Sequence, residues 1–279
     1  MNINPTSRFY TLLKWFVPVA ATFAFAAWMY LSPEGALGKL DAIGYAVCHR
    51  IDVRSFQIND RQLPLCARCT GEFYAAGVAL LFQVFVSGKR SKLPSRGMIA
   101  VLFIFFLAFG VDGSNSYLYL LKQTSSGALD KIPNLYVPNN TLRLFTGSGM
   151  GIALAAMLYP VINQTLWRNL DDQPALEWKS LGGLIALVVV LNLLILTDSP
   201  IVLYPIAYIS ALGTLSLLVI VFAILWIMIM RQDNSFETPS QLWLPFLSGL
   251  TLALLMILSI DMVRLQFTGT WSGFPGMTG

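Results

Sequence analysis

Long apolar runs separated by short polar stretches make up most of this chain. Seven runs stand out: Leu12–Leu31, Gly71–Gly88, Met98–Leu121, Leu142–Leu166, Leu181–Leu196, Ile206–Met230 and Leu242–Leu265. Most reach the roughly 20 residues a helix needs to cross a hydrocarbon layer. Backbone groups facing lipid must pair within their own segment, and the ten-residue alternation of a transmembrane barrel does not occur, so the runs predict helices. The pattern therefore predicts an all-α, polytopic membrane protein. The first run follows Arg8 and Lys14 and contains Ala24-Phe25-Ala26, the small-residue spacing of a leader cleavage site. Its apolar core continues through Trp28 and Tyr30, longer than a leader core, which predicts a retained span. The fifth run is the shortest, predicting a span with little tilt or a partly re-entrant one. Charged residues are 11% of the chain, against about a quarter in soluble domains, which agrees with the membrane reading.

The longest polar interruption lies between the first two runs. Ahead of it, Leu37, Leu40, Ile43 and Val47 recur at helical spacing, predicting a short helix over Gly35–Val47 that lies on the membrane surface. Asn59-Asp60 and Leu63-Pro64 mark turns further on. No repeat or low-complexity linker divides the chain. A working division is residues 1–166, holding this hairpin (32–70) and four spans, and residues 167–279, a three-helix membrane region.

A formal net charge of +4 reports topology in such a protein before it reports a partner. No phosphate-binding Gly loop, RNA-binding motif or long basic run is present, so nucleic acid is not an expected partner. Arg8, Lys14, Lys89, Arg90, Lys92, Arg96, Arg168, Lys179 and Arg231 fall on one side when the N-terminus is placed in the cytoplasm. The cluster GKRSKLPSRG between the second and third runs is the densest inside marker. This sets the polar hairpin outside the cell membrane, although the hairpin itself carries Lys39, Arg50, Arg54, Arg61 and Arg68.

With that orientation, the ionisable residues of the spans gather in their outer halves, on the hairpin side. Asp112 stands about 14 residues into the third span, about 21 Å along at 1.5 Å per residue. Charges inside spans are costly and face a cavity or one another. The simplest partner for Asp112 is Arg143, at the outer end of the fourth span, and Asn115 and Ser116 share its helix face. Glu72 opens the second span. Asp198, Asp261 and Arg264 are expected at the wet interface, Asp261 and Arg264 pairing three residues apart on one face. Gly147 and Gly151 have GxxxG spacing, the signal for close helix packing. The inner halves offer almost nothing ionisable and thus no polar path for transport.

The hairpin reads CHRIDVRSFQINDRQLPLCARCTG from Cys48 to Gly71 and holds all three cysteines and the only histidine of the chain. Three thiols and an imidazole form a zinc ligand set, Cys48, His49, Cys66 and Cys69, with the CxxC pair as its chelating half. Cys48 and His49 are adjacent, which demands an unusual backbone if both reach one ion. Glu72 or water is an alternative fourth ligand. Two other chemistries fit the same residues. Thiols outside the cytoplasm oxidise readily, so Cys66 and Cys69 suit a membrane thiol–disulfide oxidoreductase, with Arg50 and Arg68 favouring thiolates. No thioredoxin-like βαβ pattern surrounds them. A stapling disulfide is the third. A c-type haem is disfavoured, because no histidine follows the pair. The arginines add a further possibility, an anionic lipid or lipid-linked phosphate bound or moved at the membrane surface.

Three pieces of this region, CHR at Cys48–Arg50, RSF at Arg54–Phe56 and LPLCARCTG at Leu63–Gly71, resemble an uncharacterised family of prokaryotic integral membrane proteins carrying a domain of unknown function. The likeness continues through Asp112-Gly113 and the run Asn140…Arg143…Thr146-Gly147, covering about Cys48 to Pro160. It implies a bacterial or archaeal membrane protein and no particular activity. It also places Cys48, His49, Arg50, Cys66, Arg68, Cys69, Asp112 and Arg143 in one motif set.

Overall fold

A computed structural model describes residues 8–124 and 131–272. Among these residues there are eight α-helices, seven of them long and apolar enough to cross a membrane. They are α1 (Arg8–Leu31), α3 (Ala67–Ser87), α4 (Arg96–Thr124), α5 (Asn140–Leu166), α6 (Trp178–Ile195), α7 (Pro200–Ile229) and α8 (Trp243–Thr268), with the shorter α2 (Gly35–Val47) between the first two spans. All seven predicted spans are present, and α6 is the shortest of them. Local chemistry accounts for the ends. Asn139 caps α5 by accepting from the Leu142 amide at 2.8 Å, and Pro200 starts α7 where its missing N–H costs nothing. Gly269 ends α8 in a left-handed conformation.

The centre of the bundle is α3, packed between α5 and α7. A methyl at Gly147 would collide with the Arg68 carbonyl oxygen, and one at Gly151 with that of Glu72. Gly213 of α7 meets the carbonyl of Phe73 in the same way. Backbones this close gain dispersion contacts that bulkier residues would forfeit, the physical content of the GxxxG signal.

Helix α2 has the predicted limits but a different setting. Leu40, Ile43 and Tyr45 are buried, and Gly44 lies against the Pro64 carbonyl. The expected surface helix is instead wedged into the bundle beside α7 and α8. Its apolar stripe is covered by protein rather than by lipid.

Beyond α2 the hairpin is a small ordered unit. A single 3-10 turn spans Asp52–Arg54, and β1 (Gln57–Ile58) pairs antiparallel with β2 (Arg61–Gln62). The two connecting residues, Asn59 and Asp60, both have positive φ, 47° and 62°, the geometry that a two-residue hairpin turn demands. At the other end of the bundle β3 (Arg90–Lys92) pairs in parallel with β4 (Asp171–Pro174). Much of the basic cluster there is paired: Arg90 with Glu177 at 2.8 Å, Lys92 with Asp172 at 2.8 Å and Arg168 with Glu237 at 2.7 Å.

Candidate functional site

The Sγ atoms of Cys48, Cys66 and Cys69 all lie within 4.8 Å of one another. Two separate pieces of backbone, the end of α2 and the start of α3, bring them there. Cys48 is the first residue after α2, its amide still bonded to the Gly44 carbonyl at 2.8 Å. Cys66 is the N-cap of α3, and Cys69 stands in that helix's first turn. The second predicted span thus begins earlier than its apolar run suggests, and the CxxC pair sits astride the helix start.

Backbone amides point at the first sulfur. Arg50 N–H donates to Cys48 Sγ at 3.4 Å and Cys66 N–H at 3.3 Å. Arg50 reaches it by adopting a φ of 52°, a left-handed conformation costly for a residue with a side chain. This is not the unusual backbone expected if Cys48 and His49 were to share one ion: the strained residue is Arg50, and it serves the Cys48 sulfur. His49 is exposed and lies outside the sulfur group, as does Glu72, which is half-buried one turn further along α3. The sulfurs are electrostatically unequal. Hydrogen bonds from Cys48 and then Cys69 hold the Cys66 thiol well below its ordinary value. The bond to Cys66, with burial behind it, pushes Cys48 up to about 12.

A cavity of about 450 Å³ opens beside this centre. Cys66 and Cys69 form part of its wall, and so do Arg54, Arg68, Arg143 and His49. Ile51, Tyr117 and Leu120 supply apolar surface. Sulfur, imidazole and guanidinium thus share one cavity wall, and Asp112, which is not part of that wall, is bound by Arg68, which is.

The partner of Asp112 is not the expected one. Arg68 binds it, with Nε 2.9 Å from Oδ2 and Nη2 also on that oxygen. The same Nη2 reaches Ser116 Oγ at 3.0 Å. Tyr136 donates its hydroxyl to Asp112 Oδ1 at 2.8 Å, and Thr146 to Oδ2 at 3.3 Å. Arg143 bonds Asn140 Oδ1 at 2.8 Å instead. Arg68 reaches Asp112 from the first turn of α3, whereas Arg143 is one turn into α5 and tethered to its own first residue. Asn140 in turn approaches the carbonyls of Val53 and Ser55 at 3.4 and 3.5 Å, tying α5 to the hairpin.

Arg50 turns away from the cavity. It pairs with Asp41 at 2.9 Å, and Arg61 takes the other Asp41 oxygen at 2.7 Å. At the far end of the chain, Asp198 is exposed, as expected. Asp261 and Arg264 are not simply wet or paired with each other. Asp261 is 1% exposed, and neither of its oxygens has a hydrogen-bond partner among the described residues. Arg264 donates to the backbone carbonyls of Tyr45, Cys48 (2.6 Å) and His49 (3.0 Å). Sequence patterning does not reveal Tyr136, Asp41 and Arg264 as partners of the site. Tyr136 and Asp41 lie in polar stretches full of similar residues, and nothing in helical spacing links them to the cysteines.

Residues 48–157 match a family model described as "Predicted membrane protein (DUF2085)". That segment begins at the first cysteine and ends within α5, so it contains the sulfurs, Asp112 and every wall of the cavity. It is the uncharacterised membrane-protein family that the hairpin motifs resemble. No curated protein and no solved structure matches the chain.

Proposed function

We propose that this membrane protein carries a thiolate metal centre, with zinc as its ion and Cys48, Cys66 and Cys69 as ligands. The observation that carries the reading is the meeting of three sulfurs from two backbone segments, the end of α2 and the start of α3. Tetrahedral zinc–thiolate geometry, with bonds near 2.3 Å, separates sulfurs by about 3.8 Å. A cluster within 4.8 Å needs only a small contraction to reach it. Amides aimed at Cys48 Sγ suit a thiolate, which accepts hydrogen bonds better than a thiol. His49 or a water in the cavity is the candidate for the remaining position. Zinc with such an open position would supply Lewis acidity. The protein's own part is to hold three thiolates together, exclude bulk water from Cys48, and set arginines alongside.

Metal analysis of the purified, reduced protein tests this. One zinc per chain is expected, falling well below that in Cys48→Ser and Cys69→Ser, with a thiolate charge-transfer band on cobalt substitution. A reduced wild-type protein without stoichiometric metal overturns it.

A second reading has its own support: Cys66, at a helix N-cap and with a depressed thiol, resembles the attacking cysteine of a dithiol–disulfide couple. Oxidising Cys66 and Cys69 to a disulfide would pass two electrons and two protons to an acceptor. Alkylation and mass spectrometry across a glutathione redox series distinguishes it; thiols unchanged throughout exclude it. In both readings the N-terminus and the β3–β4 end face the cytoplasm and the hairpin faces outward. Thiol-reactive labelling of cysteines introduced at Lys92 and at Asp60 checks the orientation.

A further inference from the structure

We infer that the cavity beside the cysteines binds a phosphate-bearing ligand through the guanidinium groups of Arg54, Arg68 and Arg143. Three guanidiniums line one space of about 450 Å³, yet among the described residues only Arg68 has an acidic partner there. Among the described residues Arg54 has a single side-chain bond, to the Ser116 carbonyl at 3.3 Å. Arg143 is 6% exposed, and its Nε is buried with no hydrogen-bond partner. Its one bond, to Asn140, holds Nη1 and leaves the rest of the fork unused. Asp112 is bound to Arg68, and among the described residues no carboxylate pairs with Arg54 or Arg143. Burying guanidiniums without a paired carboxylate is costly until an anion enters. The Arg54 guanidinium shows the strain: burial and then the charge of Arg68 lower its proton affinity.

The geometry points to a tetrahedral oxyanion. Several guanidinium forks around one space can each meet a different phosphate oxygen, whereas a carboxylate has two oxygens and fills one fork. The cavity is also larger than inorganic phosphate needs. Ile51, Tyr117 and Leu120 offer apolar wall for an organic substituent, and Tyr117 is itself 61% exposed on the outside of α4. Arg50 and Arg61, the other two hairpin arginines, are excluded because Asp41 already occupies both. The inference does not depend on what the sulfurs carry, since no arginine is a metal ligand. It does place the bound ligand in contact with Cys66 and Cys69.

Two sources share this chemistry, a soluble phosphate monoester and the headgroup of a phosphatidic-acid-type lipid. Calorimetric titration of the full-length protein in neutral detergent with inorganic phosphate and with glycerol phosphate tests the first. Native mass spectrometry after reconstitution in phosphatidylcholine bilayers with and without phosphatidic acid tests the second. At least one arm should show binding, and which one identifies the source. Arg54→Gln and Arg143→Gln should each weaken it about tenfold to a hundredfold, the usual worth of a charge-assisted bond. Arg61→Gln, outside the cavity, should leave it unchanged. Should Arg143→Gln fail to fold, Arg54→Gln decides alone. Binding in neither arm, or binding indifferent to Arg54→Gln, overturns the inference. Repeating the titration on wild-type protein stripped of metal by a chelator separates it from the metal reading: phosphate affinity should persist there whether or not metal was bound.

Discussion

At the scale of single residues, Asp112 carries the heaviest local demand. It is 1% exposed within a span, and four groups answer it: Arg68, Tyr136, Thr146 and, through Arg68, Ser116. A buried carboxylate that loses its cation costs roughly 3–5 kcal/mol. Arg68→Gln should therefore destabilise the protein by about that amount in a denaturant or thermal titration of the detergent-solubilised form. Adding Asp112→Asn should restore much of the loss, because the amide neutralises the orphaned charge. If the double variant is no more stable than the single, Asp112 does not depend on Arg68 as described. The need for a partner was legible from a charge deep in an apolar run. Its identity was not, since Arg68 and Arg143 both stand near helix starts, and only the packing of α3 and α4 against α5 chooses between them.

At the scale of elements, the α3–α5 contact sets the site. Arg68 and Glu72 present their carbonyls to Gly147 and Gly151, so the turn of α3 bearing Arg68 and Cys69 is held to α5 by the closest backbone approach between them. Gly147→Ala forces the helices apart, at a cost of about 1–3 kcal/mol typical of overpacking. The same displacement should loosen the Arg68–Asp112–Thr146 network. The expected outcome is a lower melting temperature together with faster alkylation of Cys69 in reduced protein. Unchanged values in both would mean that the backbones tolerate a methyl there. This contact was readable in the chain, because a four-residue glycine spacing in an apolar run has few other uses. The burial of α2 was not. A stripe of Leu37, Leu40, Ile43 and Val47 suits a lipid surface and a protein groove equally well, and periodicity carries no information about which covers it.

At the scale of the whole molecule, the last helix closes over the first polar segment. Arg264 of α8 satisfies the carbonyls of Tyr45, Cys48 and His49, groups left open where α2 ends. Its guanidinium lies over the Tyr45 ring at 4.0 Å, and the Tyr45 hydroxyl meets Thr268 at 2.6 Å. Removing a group that orients a metal ligand typically costs 10–100-fold in affinity. Arg264→Gln should lower zinc affinity in a chelator competition by about that factor, and hydrogen exchange at residues 45–50 should quicken. Zinc affinity and exchange both at wild-type levels would show that α8 does not brace the site. The family match ends at residue 157, yet the brace comes from beyond it.

Helix number, membrane class and the residues worth watching follow from local rules. A span needs a minimum apolar length, a buried charge needs a reason, and three cysteines around one histidine need a chemistry. Each of those constraints acts within about twenty neighbouring positions, so one strand of letters is enough to reveal it. Which guanidinium meets Asp112, which arginines are left over to face the cavity, and why Arg264 lies across the Cys48 backbone depend on contacts between residues far apart in the chain. Those contacts are settled by helix register and tilt, quantities that arise only when every span packs at once.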